Sequence, residues 1–328
     1  MSARRSSTNS SYQHQWSIYF NWCRGRGISA SRTSINNICL FLRYLRYTRK
    51  LSVSAIKGYR SMLASVLRHK NLSLSNDPDI RDVIRSFDLE VPKRRVQSVA
   101  WNLDVVLRLL LSNCYEPVEN ISILKLTKKA LFLITLALAK RVSEIQALHR
   151  NVGFSLHSAH LTLLPEFRAK NDNKCRGLPR SFEMKNLLDL VGPEEEAALC
   201  PVRALKVYLN RTKDSVDGAH QHLFASPKNP KVPMSKNGIS YLLRDLIREA
   251  HVSCTENVCK TLKVTPHQIR AIATSFSFTK NLSIESVMLA AQWRCRSVFA
   301  AHYLKDVQIT YDNCTSLGPF VTAGEVIA

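Results

Sequence analysis

The stretch "ALFLITLALA" (Ala130–Ala139) sets the strongest constraint on the fold. Ten residues, apolar but for Thr135, are too few to span a bilayer, and the run ends directly in Lys140 and Arg141. A helix that is apolar on every side is satisfied only by being wrapped in other elements. The chain therefore has to build a sizeable domain around this segment, with Arg141 and Glu144 of "AKRVSEIQALHR" at its exit. A composition that is 45% hydrophobic over 328 residues supplies enough material for such a core.

Charge narrows the partner. Lys and Arg number 47 against 25 Asp and Glu, a net of +22. The excess is concentrated early: residues 1–100 hold 18 basic and 5 acidic side chains, and the first acid is Asp77. Such a balance points to a polyanion, either nucleic acid or an acidic membrane surface. With no segment that reads as an anchor, the expectation is double-stranded DNA and no membrane. The opening "MSARRSSTNSSYQHQW" lacks the apolar block of a secretory signal, and the nine cysteines show no CxxC pair. Reduced intracellular thiols and no metal site are expected.

Residues 11–90 read as a small helical unit. "SSYQHQWSIYFNWCRGRG" looks like a helix closed by glycines, and "SINNICLFLRYLRYTRK" and "SVSAIKGYRSMLASVLRHK" repeat apolar residues at helical spacing. The opposite faces carry Arg43, Arg46, Arg49, Lys57, Arg60, Arg68 and Lys70 without an acid among them. Any one of these charges is explained by solvation, but a face of cations alone suggests phosphate contacts. "LEVPKRRVQSVA" (Leu89–Ala100) reads as a linker, and its Lys93, Arg94 and Arg95 join the expected DNA-binding set. The division expected is a basic helical domain at 1–92, a linker at 93–100, a larger domain at 101–310 and a tail at 311–328. Within the larger domain, helices are expected at "WNLDVVLRLLL", "PVRALKVYLNRT", "SKNGISYLLRDLIREAH", "TPHQIRAIATSFSFTK" and "IESVMLAAQW". "AHLTLLPEFRAKNDNKCRGLPRSFEM" reads as a β-hairpin with Lys170 and Lys174 near its tip.

"TPHQIRAIATSFSF" raises the chemical question, because His267 and Arg270 share one face of an apolar helix. Burying both without partners is unfavourable. "AAQWRCRSVFAAHYLKDV" adds Trp293 and Tyr303. Each feature has a bland explanation: a helix end at Arg141, solvated turn lysines, a backbone-satisfied His267, core aromatics at Trp293 and Tyr303. The order Arg, Lys, His-x-x-Arg, Trp, Tyr carries more than its parts.

That order resembles the tyrosine recombinase (phage-integrase-type) family over roughly residues 98–310. The match pairs "RVSEIQAL" with the first arginine motif, "HQIR" with the His-x-x-Arg box, Lys170 (or Lys174) with the hairpin lysine, and Tyr303 with the nucleophile. More narrowly, "CPVRALKVYL", "ATSFSF" and "QWRCRSVFAAHYL" look like recombinases of DIRS-like and Ngaro-like retroelements. The resemblance implies a mainly α, two-domain architecture: a helical, SAM-like core-binding domain and an α+β catalytic domain with one small sheet. It implies cutting and rejoining of DNA through a 3′-phosphotyrosine by Arg141, Lys170, His267, Arg270, Trp293 and Tyr303, with Glu144 in support. No cofactor, metal or ATP is called for. A homotetramer on paired DNA sites and a nuclear location are the corresponding expectations. The competing readings are a decayed, host-adopted DNA-binding protein and, behind it, a type IB topoisomerase.

Overall fold

The computed structural model describes residues 6–67, 74–90, 101–168, 181–187, 197–215, 221–252, 264–279 and 323–324. The chain divides into two compact units, Met1–Arg95 and Val96–Ala328.

In the first unit α1 (Ser6–Arg24), α2 (Ile35–Arg43), α3 (Val53–Val66) and α4 (Pro78–Glu90) surround one core. The starts are written in the sequence. Ser34 Oγ accepts the N–H of Asn37, Ser52 Oγ that of Ala55, and Asp77 Oδ1 those of Asp79 and Ile80, with Pro78 opening α4. Helix α1 begins at Ser6, earlier than its serines suggest, and stops where expected: Gly27 has φ +65°, a conformation that favours glycine. Phe41 centres the core, with Tyr19 at 4.9 Å and Trp22 at 5.3 Å in tilted-edge geometry. Leu89 and Glu90, read as linker, belong to the last turn of α4.

The second unit is built on α6 (Ile123–Leu138), which follows α5 (Leu103–Leu111). Every residue of α6 from Leu126 to Leu138 is buried, its threonines and lysines included. Two of these buried residues are lysines. Lys129 Nζ donates to the carbonyls of Leu110 (2.7 Å) and Tyr115 (3.2 Å) and pairs with Glu116, which also accepts from Arg203. Lys128 pairs with Asp245 at 2.7 Å and Glu249 at 2.8 Å. Both reach partners on neighbouring elements, which is the condition for keeping a charge inside. Burial lowers the pKa of Lys129, while Glu116 opposes that shift.

Helix α6 ends at Ala139, whose φ of 49° is left-handed, and the chain turns into the short α7 (Val142–Gln146). A small antiparallel sheet follows in the order β1 (Gly153–Phe154), β2 (Ser158–Thr162), β3 (Ser181–Lys185) and β4 (Ala323–Gly324). The expected hairpin is the β2–β3 pair, with Thr162 opposite Ser181 and Ser158 opposite Lys185. Strand β4 brings part of the tail back to the edge of its own unit's sheet, Ala323 opposite Met184. Helices α8 (Pro201–Thr212), α9 (Lys236–Val252) and α10 (Pro266–Thr279) complete the unit. The architecture is mainly helical with one small sheet, as expected.

Candidate active site

The turn between α6 and α7 places the first arginine. Arg141 has extended backbone (φ −73°, ψ 152°) and caps α7. Its N–H donates to Glu144 Oε2 at 2.9 Å, and the Glu144 N–H donates to the Arg141 carbonyl at 2.8 Å. This reciprocal pair makes "RVSE" a helix start with the carboxylate folded back over it. The turn is stitched to its surroundings on two sides. The Ala147 carbonyl accepts from Leu164 N–H at 2.9 Å, just beyond β2, and His222 Nδ1 donates to the Gln146 carbonyl at 2.7 Å. Lys140, buried to 4% exposure, lies with Nζ 4.4 Å from the ring centre of Phe182 on β3. The residue beside Arg141 is thus fastened to one strand of the hairpin whose connection carries Lys170.

Helix α10 supplies the second arginine. "TPHQIR" encodes its own start: Thr265 N–H donates to Gln268 Oε1 at 2.7 Å, Gln268 N–H to the Thr265 carbonyl at 2.9 Å, and Pro266 takes the first helical position. Ile269, Ala271, Ile272 and Ala273 anchor the helix in the core, and the Thr274 hydroxyl donates to the Arg270 carbonyl at 2.8 Å.

The two arginines meet at Glu144. Its Oε2 lies 3.7 Å from Arg141 Nη1 and 3.9 Å from Arg270 Nη1. Glu144 and Arg270 are buried, their side chains 2% and 1% exposed, whereas that of Arg141 is 19% exposed. A carboxylate at such depth is tolerated because two guanidinium groups and a backbone N–H surround it. His267, one turn before Arg270, faces solvent. Partial burial of the ring, then the charges of Arg270 and Arg141, hold its imidazolium below the usual pKa of 6.5. The imidazole is therefore neutral near pH 7, with a lone pair ready to accept a proton.

Arg141, Glu144, His267 and Arg270 are thus one cluster drawn from two separate helix starts. Lys170, Lys174, Trp293 and Tyr303 lie outside the described residues, as do Arg68, Lys70 and Lys93–Arg95. The contribution of Lys140 was not legible in sequence, where it appears as the end of an apolar run. Its one signal was a second cation abutting Arg141.

The expected acid-free face of the first unit needs correction. Arg46 Nε and Nη2 both donate to Glu90 Oε2, at 3.3 and 3.2 Å, and Lys57 Nζ donates to the two Asp88 oxygens at 2.9 and 2.8 Å. Arg43 lines a cleft with Asp79 and Asp82. The acids come from α4, far away in sequence and absent from the helices that carry the cations. Arg60 is half-buried on α3.

No family model and no curated protein sequence matches the chain. Solved structures do. The Tn1549 transposon integrase (residues 82–397) in complex with transposon right end DNA superposes with a TM-score of 0.56 at 13% identity, over 94% of this chain and 92% of that one. The XerH site-specific recombinase bound to difH substrate gives 0.54 at 14%, over 91% and 74%. A lambda integrase (75–356) dimer bound to a COC′ core site gives 0.51 at 13%, over 95% and 93%. At these identities the likeness is one of fold: the second unit has the architecture of the tyrosine recombinase catalytic domain.

Proposed function

We propose that the chain is a site-specific DNA recombinase that cuts and rejoins DNA through a covalent 3′-phosphotyrosine. The observation that carries this reading is the convergence of Arg141 and Arg270 on one Glu144 oxygen, 3.7 and 3.9 Å away, beside the depressed His267. The neighbours of the same fold, which include an integrase with transposon DNA and a recombinase with its substrate, support it.

The chemistry follows from the residue types. A phosphodiester repels nucleophiles, and its transition state spreads additional negative charge over the non-bridging oxygens. Arg141 and Arg270 remain charged at any working pH and stabilise that charge, with Glu144 fixing both guanidinium groups. A tyrosine hydroxyl ordinarily titrates at about 10, so Tyr303 needs its proton removed. Neutral His267 is the acceptor. The phenolate oxygen then bonds to phosphorus as the P–O5′ bond breaks, and Lys170 protonates the departing 5′ oxygen. Trp293 donates its indole N–H to the phosphate. The phosphotyrosine conserves the bond, so attack by another 5′-hydroxyl restores the DNA without metal or ATP. Action in pairs of DNA sites by a homotetramer, descent from a DIRS-like mobile element and a nuclear location complete the reading.

Incubation with nicked duplexes preselected for binding tests it. A protein–DNA adduct on a denaturing gel that disappears in Tyr303→Phe supports the reading. Tight binding without an adduct leaves the decayed DNA-binding protein, and an adduct that survives the substitution assigns the nucleophile to another residue.

A further inference from the structure

All five acids of residues 1–100 lie on α4 or at its start: Asp77, Asp79, Asp82, Asp88 and Glu90. The last two reach across to cations of the other helices. Lys57 Nζ sits 2.8 and 2.9 Å from the Asp88 oxygens, and two nitrogens of Arg46 converge on Glu90 Oε2 at 3.2 and 3.3 Å. The other Glu90 oxygen accepts the Tyr47 hydroxyl at 2.6 Å, so this carboxylate is held from two sides. The Tyr47 hydrogen bond, then Arg46, keeps Glu90 ionised below the usual carboxylate pKa. The carboxylates therefore meet these cations as phosphate oxygens would, by charge-assisted hydrogen bonds.

Resting on the reading that this unit binds DNA, we infer that Asp88 and Glu90 act as built-in phosphate substitutes that occupy Lys57 and Arg46. The two cations then add nothing to DNA affinity until the carboxylates release them. The physical basis is counterion release. A free lysine or arginine that meets a phosphate liberates a condensed cation, whereas an already paired one abandons a carboxylate that must itself be neutralised. The side chains are accessible to such exchange: Lys57 and Asp88 are 42% and 49% exposed, Arg46 and Glu90 23% and 38%. Exposed pairs of this kind are weak, so exchange is not blocked, only unrewarded. Counting basic residues in this unit therefore overstates its DNA affinity. Among the described residues Arg24, Arg26, Arg32, Arg49 and Lys50 stand in no ion pair, and they are open to phosphate without such an exchange.

The test is a cycle on the full chain carrying Tyr303→Phe, which keeps binding separate from cleavage. Affinity for a random-sequence duplex is measured against salt for four proteins: the parent, Asp88→Asn with Glu90→Gln, Arg46→Ala with Lys57→Ala, and all four substitutions together. The inference expects the neutralised acids to steepen the log–log salt slope by roughly 1.8, the value for two more phosphates. It expects loss of the two cations to leave the parent slope unchanged and to cancel the gain in the neutralised background. Cations that cost the same in both backgrounds would reduce the effect to net charge and overturn the inference. A drop in slope when they are removed from the parent overturns it equally, because they would already be on phosphate. If the parent binds no duplex, the proposed function itself fails.

Discussion

The two units handle charge in opposite ways. In the first, paired charges sit at the surface, as with Lys57–Asp88 and Arg46–Glu90. In the second, alongside the exposed Arg203–Glu119 pair, charges are also taken inside: Lys129 with Glu116 and Arg270 with Glu144, while Lys128 is buried against the partly exposed Asp245 and Glu249. Water screens the first kind, and either partner is lost cheaply. The second kind is held by its own partners, and losing one strands the other in a poorly solvating interior. The difference separates a surface on which cations exchange partners from a site whose guanidinium groups must stay fixed. Interior anchoring of Arg270 and the frame around α6 is how the fold holds a charged cluster steady.

The largest effects should come from the interior. Glu144→Ala and Lys129→Ala are each expected to destabilise the protein by about 3–5 kcal/mol in denaturant titrations, since each leaves a buried charge short of a partner. A loss below ~1 kcal/mol in both would break the comparison. Tyr115→Phe removes one hydroxyl from Glu249, with which it shares bonds of 3.0 and 3.1 Å, and should cost about 1.5–3 kcal/mol. Lys57→Ala should cost about 0–1 kcal/mol, and its effect should shrink further in added salt. The smallest effect should be on pH dependence at His267. Its folded pKa lies below the ordinary 6.5, so the unfolded chain binds the proton more readily. Stability is unaffected well above pH 6.5 and declines as pH falls through that value toward the folded pKa. His267→Gln should flatten this decline without shifting the plateau, as read by melting temperature between pH 5 and 8. An unchanged slope would place the titration elsewhere.

Much of the fold is legible because its signals are local. Serine and aspartate caps, helical spacing of Ile35, Ile38 and Leu42, and the apolar run of α6 all act within a few residues. So do the capping residues of "TPHQIR" and the reciprocal bonds of "RVSE", which is why Arg141, His267 and Arg270 stand out in the sequence itself. Where sequence and fold diverge, the cause is pairing over long separations. The cationic helices of the first unit show no acid in their own sequences, yet α4 delivers Asp88 and Glu90 to them from 31 and 44 residues away. Likewise Lys128 and Lys129 look like interruptions of an apolar helix, until α9 and the turn after α5 bring carboxylates to them.

The sequence by itself determined which segments become helices, where they start, and which residue types arrive in the order Arg, His, Arg. Backbone capping and apolar periodicity are satisfied within a single element. Apart from the local Arg141–Glu144 pair, which charge neutralises which was decided by the tertiary structure. Coulombic pairing depends on distance and dielectric, and both exist only once the elements are packed. The meeting of Arg141 and Arg270 at Glu144 belongs to that second class, set by how α10 packs against α6 and the turn into α7.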